Sequence, residues 1–245
     1  MPDILPSPGT YERELKFMPY KKSLETVLDK VANDAKKEAT VLDLMCGPGY
    51  LLGQLQSRRP DLNLRGVDID PSFIEHGRGK YSGIDFELAD VRTWQAPESY
   101  DVVLCTGALH HLPYEDQEEF IEHMAGMMHS EGFGILSDCY IGHWGDYENE
   151  IQRKLAAAQL GHAYLRETIA NGAPDDVVEA AANILTNDVM GREFKTTVYR
   201  RLPILQKVFG KDNVETTRVW PSRPYYEYTP PPLVSYGDYI HILKR

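Results

Sequence analysis

The stretch Val41 to Tyr50, VLDLMCGPGY, decides how the chain is read. An apolar run enters a glycine-rich turn, as a buried strand does when it ends in a ligand-binding loop. Gly47, Gly49 and Gly53 follow a G-x-G-x-x-x-G spacing that on its own would suit a dinucleotide. Asp43, inside the run, argues against it, because a carboxylate beside a pyrophosphate is repelled. A ligand carrying a cation fits the position better. Met45 stands where a third glycine is expected.

Outward from this turn, two kinds of segment alternate. Apolar runs at 39–44, 63–69, 84–89, 100–106 and 133–138 read as strands, and helical patterns at 50–58, 71–80 and 114–129 separate them. Asp70 before Pro71 is a helix N-cap with proline at the first helical position. Pro113 leads into an acid-rich first turn, which suits the positive end of a helix. Strands alternating with helices build a parallel sheet covered on both faces.

Before the turn, residues 1–10 read as a loose arm and Tyr11 to Asn33 as helical. Beyond Asp138, residues 145–190 read as two helices around NGAPDD, and 197–209 as another. Strand-like segments follow at 213–220 and 237–245, joined by a loop rich in proline and tyrosine. The expected division is an N-terminal arm and helical cap (1–37), a cofactor-binding core (38–138), a helical insertion (139–196) and C-terminal completion of the sheet (197–245).

The 245 residues are 42% hydrophobic, enough for one large domain, and carry a net charge of -11. That acidity disfavours nucleic acid as a partner. No apolar run reaches the roughly 20 residues that span a bilayer. The first residues lack the basic start and apolar core of a signal peptide. Cys46, Cys105 and Cys139, an odd set without paired metal spacing, suit a reducing cytoplasm.

Two further carboxylates sharpen the ligand. Asp68 ends the second strand, 21 residues after Gly47, where an acid can accept hydrogen bonds from a ribose diol. Asp90 ends the third, placed to meet an adenine amino group. One carboxylate near the end of each of three successive strands fits S-adenosylmethionine, which carries an ammonium, a sulfonium and an adenosine but no phosphate. The alternative reading of each is a solvated turn or helix cap.

Taken together, VLDLMCGPGY, GVDIDPSFIEHGR, FELADV and YDVVLCTGALHHLP resemble the motifs of class I S-adenosylmethionine-dependent methyltransferases, over about residues 38–138. The fold implied is α/β: a doubly wound, mostly parallel seven-stranded sheet with helices on both faces, an antiparallel C-terminal hairpin and a helical insertion after the fifth strand. The resemblance implies that Asp43 orients the methionine ammonium and that the backbone of Met45, Cys46 and Gly47 lines the methionine moiety. It gives Asp68 the ribose, Ile69 the adenine face, and Asp90 and Val91 the adenine edge. Thr106 would lie beside the sulfonium. Met45 departs from the commoner glycine of this motif.

Methyl transfer is an in-line displacement that needs alignment and exclusion of water, with a base only if the nucleophile arrives protonated. His110, after the fourth strand, is the candidate base, and His111 beside it a candidate for acceptor contact. Structural capping or packing is the competing reading of both. Tyr20 is a candidate for the methionine carboxylate. Tyr11, His143, Trp144 and Tyr225 are candidates for the acceptor, which is expected to be a small organic molecule methylated at O, N or C. The tyrosines of the 221–236 loop have a second reading, as packing at a homodimer interface or against the insertion. Asp138 stands nearly alone as a carboxylate at the later strand ends, so no metal is expected. Alternatives are an RNA or protein methyltransferase, or a non-catalytic S-adenosylmethionine-binding regulatory protein.

Overall fold

A computed structural model describes residues 6–142, 149–221 and 236–245. Its sheet has seven strands in the order β3-β2-β1-β4-β5-β7-β6. They are β1 Thr40–Leu44, β2 Asn63–Asp68, β3 Asp85–Leu88, β4 Tyr100–Thr106, β5 Met128–Tyr140, β6 Val214–Trp220 and β7 Gly237–Lys244. β1 to β5 pair in parallel, and β7 lies antiparallel between β5 and β6. The chain runs outward from β1 to β3, then returns to place β4 on the other side of β1. That reversal opens a crevice at the carboxyl ends of β1 and β4, where open α/β sheets hold ligands.

Because side chains alternate across a strand, each central strand feeds two cores. Val41, Val102 and Leu104 face one layer, packed by Leu24, Val27 and Leu28 of α2 (Lys21–Asp34) and by Leu52 and Leu55 of α3 (Tyr50–Arg58). Leu42, Val103 and Cys105 face the other, with Phe120 and Ile121 of α5 (Tyr114–Gly126) and Leu205 of α8 (Val198–Phe209). α4, Pro71–Lys80, starts at the expected cap: the Asp70 carboxylate accepts from the Ser72 and Phe73 amides. The insertion forms α6, Glu150–Ala170, and α7, Asp175–Met190. They approach so closely at Gly161 that a Cβ there would sit 2.8 Å from Asp188 Oδ2.

Three boundaries differ from the sequence pattern. The helix expected over 11–33 is two, α1 Pro8–Glu14 and α2, with turns between them. Pro19 restricts the residue before it and turns the chain inward, so that buried Leu15 and Met18 continue the apolar pattern without a helix. β5 starts at Met128, which pairs with Tyr100, rather than at 133; the exposed polar His129, Ser130 and Glu131 lie where the register with β4 shifts before resuming at Phe133. α5 correspondingly stops at Gly126.

Candidate active site

The turn after β1 supplies the first wall. Met45 has φ of 58° and Gly47 of 55°, the left-handed region that favours glycine. The position of Met45 therefore has the backbone of a glycine without the residue. Gly47 donates its amide to Asp68 Oδ2 at 2.8 Å, and Asp70 donates to Asp68 Oδ1 at 2.9 Å. Burial raises the pKa of Asp68 against the pull of these amides. Asp43 is buried, its Oδ1 has no hydrogen-bond partner, and burial followed by the nearby Asp68 pushes its pKa well up. An uncompensated buried carboxylate of this kind is costly unless a cation or proton meets it.

The other two glycines of the spacing serve packing, which corrects the ligand-approach reading of the whole triplet. A Cβ on Gly49 would lie 2.4 Å from the Phe86 ring, and one on Gly53 would lie 2.2 Å from Tyr81. Only Gly47 presents its bare face to the crevice, where the Tyr11 ring lies 3.8 Å from the position of a Cβ.

The N-terminal segment closes the crevice from above. Tyr20 covers Gly107, whose added Cβ would approach the ring to 2.8 Å. Burial, followed by the neighbouring Tyr11, raises the pKa of the Tyr20 hydroxyl well above its ordinary value, so it stays protonated. Tyr11, Tyr20, Asp43, Met45, Cys46 and Thr106 thus enclose one small hollow. Asp68 joins this group through Gly47. On the rim, Ile69 is 63% exposed, and the Asp90 carboxylate is held by the Arg92 guanidinium at 2.6 Å. Val91 is buried in the core.

A second, larger pocket shares Tyr11, Leu15 and Tyr20 with the first and extends beneath α6 and α7. It holds about 980 Å3 of empty space, counting its open mouth. His110 and His111 sit in a 3-10 turn directly after β4, with ring centroids 4.3 Å apart. His110 Nδ1 lies 2.6 Å from Asp138 Oδ1 and Nε2 lies 3.7 Å from Glu193 Oε2. Burial opposes charge on His110, but Cys139 and Asp138 outweigh it and hold its pKa well above the usual range. His111 goes the other way, to about 4, through burial and the charge of His110. His143, Trp144 and Tyr225 lie outside the described residues.

Asp138 is therefore not alone, and the premise of the metal-free expectation is corrected. His110, Asp138 and Cys139 bring donor atoms within 4.8 Å of one another, as do His110, His111 and Glu193. One cation already stands beside Glu193: Lys195 Nζ is 2.5 Å from both Glu193 Oε2 and Asp188 Oδ1. The irregular segment between α7 and α8 delivers these groups, since the Phe194 amide donates to the His110 carbonyl at 2.7 Å. Sequence reasoning also missed Glu14 on α1 and Asp238, which β7 places opposite Cys139 in the register of the sheet. Both line the pocket. Acids entering an apolar pattern were the available signal, but nothing local says which strand or helix they will face.

Residues 41–132 match the family model described as a methyltransferase domain. Trans-aconitate 2-methyltransferase of Escherichia coli strain K12 / DH10B is 28% identical over 183 residues, 74% of this chain and 68% of the relative. Residues 41–132 are a methyltransferase domain. Solved structures share the methyltransferase fold across most of its length. The plantazolicin methyltransferase BpumL in complex with SAH gives a TM-score of 0.62 at 13% identity, covering 97% of this chain and 88% of that one. Magnesium protoporphyrin IX methyltransferase from Synechocystis PCC 6803 with bound SAM gives 0.56 at 16%, covering 93% and 80%.

Proposed function

We propose that this methyltransferase takes the methionine end of S-adenosylmethionine into the hollow at Asp43 and transfers its methyl group to a small organic molecule held beneath α6 and α7. The orphaned, buried Asp43 oxygen carries this reading, because an ammonium supplies the partner it lacks. Gly47 offers a bare backbone beside it, and Asp68 is oriented by two amides to accept ribose hydroxyls. Thr106, Met45 and Cys46 line the methionine moiety, with Ile69, Asp90 and Val91 at the adenine. The cofactor supplies an electrophilic methyl on a sulfonium.

The residues of the chain then do three things. Tyr11 and Tyr20 form the wall shared by the two hollows and exclude water from the line of transfer. The 139–196 segment caps the acceptor over its apolar face. His110 receives the acceptor's proton on Nε2, while Asp138 fixes the ring through Nδ1 and stabilises the imidazolium that results. His111 touches the acceptor. Three free thiols and the acidic surface favour a cytoplasmic enzyme with a small-molecule partner.

Calorimetry with S-adenosylmethionine and with S-adenosylhomocysteine tests the cofactor site. Binding of both, each weakened at least about tenfold in Asp43→Asn, supports the assignment. Absence of binding by the wild-type protein overturns it.

A further inference from the structure

The acceptor pocket carries more acid than its cations neutralise. Glu14, Asp138, Glu193 and Asp238 line it, and Lys195 is the one lysine or arginine among the described residues that do. Two of the acids are accounted for: Asp138 is paired with His110 and Glu193 with Lys195. Glu14 and Asp238 are not. Glu14 is 6% exposed and Asp238 2%, and both have an oxygen without a hydrogen-bond partner, Oε1 and Oδ2 respectively. The remaining oxygen of Asp238 accepts from the Tyr164 hydroxyl, a neutral donor.

Such carboxyls cannot both hold full charge in a closed pocket without a counterion. Burial pushes Asp238 up to about 7 and Glu14 up to about 8, so near neutral pH both are poised between the acid and its anion. A negatively charged ligand would force them to stay protonated and lose any attraction. A ligand cation would draw a proton off the carboxyl it meets and gain a charge-assisted contact. Between these acids the pocket wall is apolar, formed by Leu15, Met18, Leu160 and Ile184. That wall suits a hydrocarbon body.

We propose that the methyl acceptor carries an ammonium on an apolar body, the ammonium attracted by the buried carboxyls Asp238 and Glu14 and the methyl taken by an atom other than that nitrogen, and that the pocket rejects polycarboxylates. This rests on the reading of the pocket as the acceptor site. It also separates this chain from the Escherichia coli relative, whose name gives a tricarboxylic acid as its substrate, and so shows where the likeness at 28% identity stops.

The test is calorimetric, on the full chain. S-adenosylhomocysteine is titrated first, and the saturated protein is then titrated with phenethylamine, with its carboxylate counterpart 3-phenylpropanoate, and with trans-aconitate. The expected result is phenethylamine binding at least about tenfold tighter than either acid. Asp238→Asn, which keeps an acceptor for Tyr164, and Glu14→Gln should each cut that preference at least about fivefold. Failure of S-adenosylhomocysteine to bind would sink the cofactor reading and not this one alone. If it binds while an acid binds as well as the amine, neither probe binds, or both variants keep the preference, the amine proposal is overturned.

Discussion

His110 Nδ1 stands 2.6 Å from Asp138 Oδ1, a contact that ties the turn after β4 to the end of β5. On the proposed reading it orients the ring for catalysis. With Nδ1 engaged by a carboxylate, only Nε2 is left to meet a proton in the pocket. His110→Ala should lower turnover about a hundredfold while cofactor affinity stays within about twofold, measured by labelled-methyl transfer and calorimetry. An unchanged rate would remove His110 as the base.

The same pair gives the activity a pH dependence of known sign. After the opposing effect of burial, Cys139 and Asp138 hold His110 protonated above the usual range, so the basic form appears only as pH rises. The rate should climb through and above neutrality. Asp138→Asn removes a raising influence and should move this limb to lower pH, with a lower plateau because the ring is less well held. A pH-rate profile of the variant with its limb unmoved would show that Asp138 does not act through His110.

Asp43 and Asp68 should separate by stability as well as by affinity. Asp68→Ala frees the Gly47 and Asp70 amides and should cost both cofactor affinity, at least several-fold, and thermal stability. Asp43→Asn removes a buried carboxyl whose ionised form has no partner in the free protein, and should weaken the cofactor without lowering the melting temperature of the free protein. Equal destabilisation by both would make Asp43 a structural residue. Scanning calorimetry of the free and loaded proteins makes the comparison.

Glu14 should make the protein less stable as pH rises. Its pKa in the fold is about 8 against an ordinary 4.5, from burial first and the Asp176 charge second. A raised carboxyl pKa favours folding fully below about 4.5, and that contribution is lost as pH rises through 8. Glu14→Gln cannot titrate. Its melting temperature relative to wild type should therefore rise by about 3 °C or more between pH 5.5 and pH 9. A constant difference across that range would mean that the carboxyl ionises freely in the fold.

Met45→Gly should leave S-adenosylmethionine affinity within about threefold. The position supplies a left-handed backbone, which glycine adopts at least as readily. A tenfold loss would show that the methionine side chain itself touches the ligand.

The alternation of strands and helices was legible because each strand is apolar and each helix is punctuated by a cap, a proline or a glycine. The acids at the ends of β1, β2 and β3 were legible for the same reason, since each lies where a short pattern stops. The relation of His110 to Asp138 was not, although both residues were in view. It depends on β4 and β5 lying side by side and on where the bonded turn after β4 points. Glu193 and Lys195 enter from the segment that follows the two helices of the insertion, and Asp238 from a strand that pairs with β5 a hundred residues later. Register and docking decide such meetings, and no local spacing encodes them. Gly49 and Gly53 teach the opposite lesson. Their spacing looked like a ligand's requirement, yet Phe86 and Tyr81 are what need the room.

The central claim is that the two hollows meeting at Tyr11 and Tyr20 form one reaction chamber, with cofactor on the Asp43 side and acceptor on the His110 side. The most direct measurement is transfer of labelled methyl from S-adenosylmethionine into the small-molecule fraction of a metabolite extract, by wild type and by His110→Ala. Label is expected in that fraction with wild type, with at least about a tenfold loss in the variant and cofactor binding retained in both. Label confined to protein or RNA, or equal transfer by the two proteins, would contradict it.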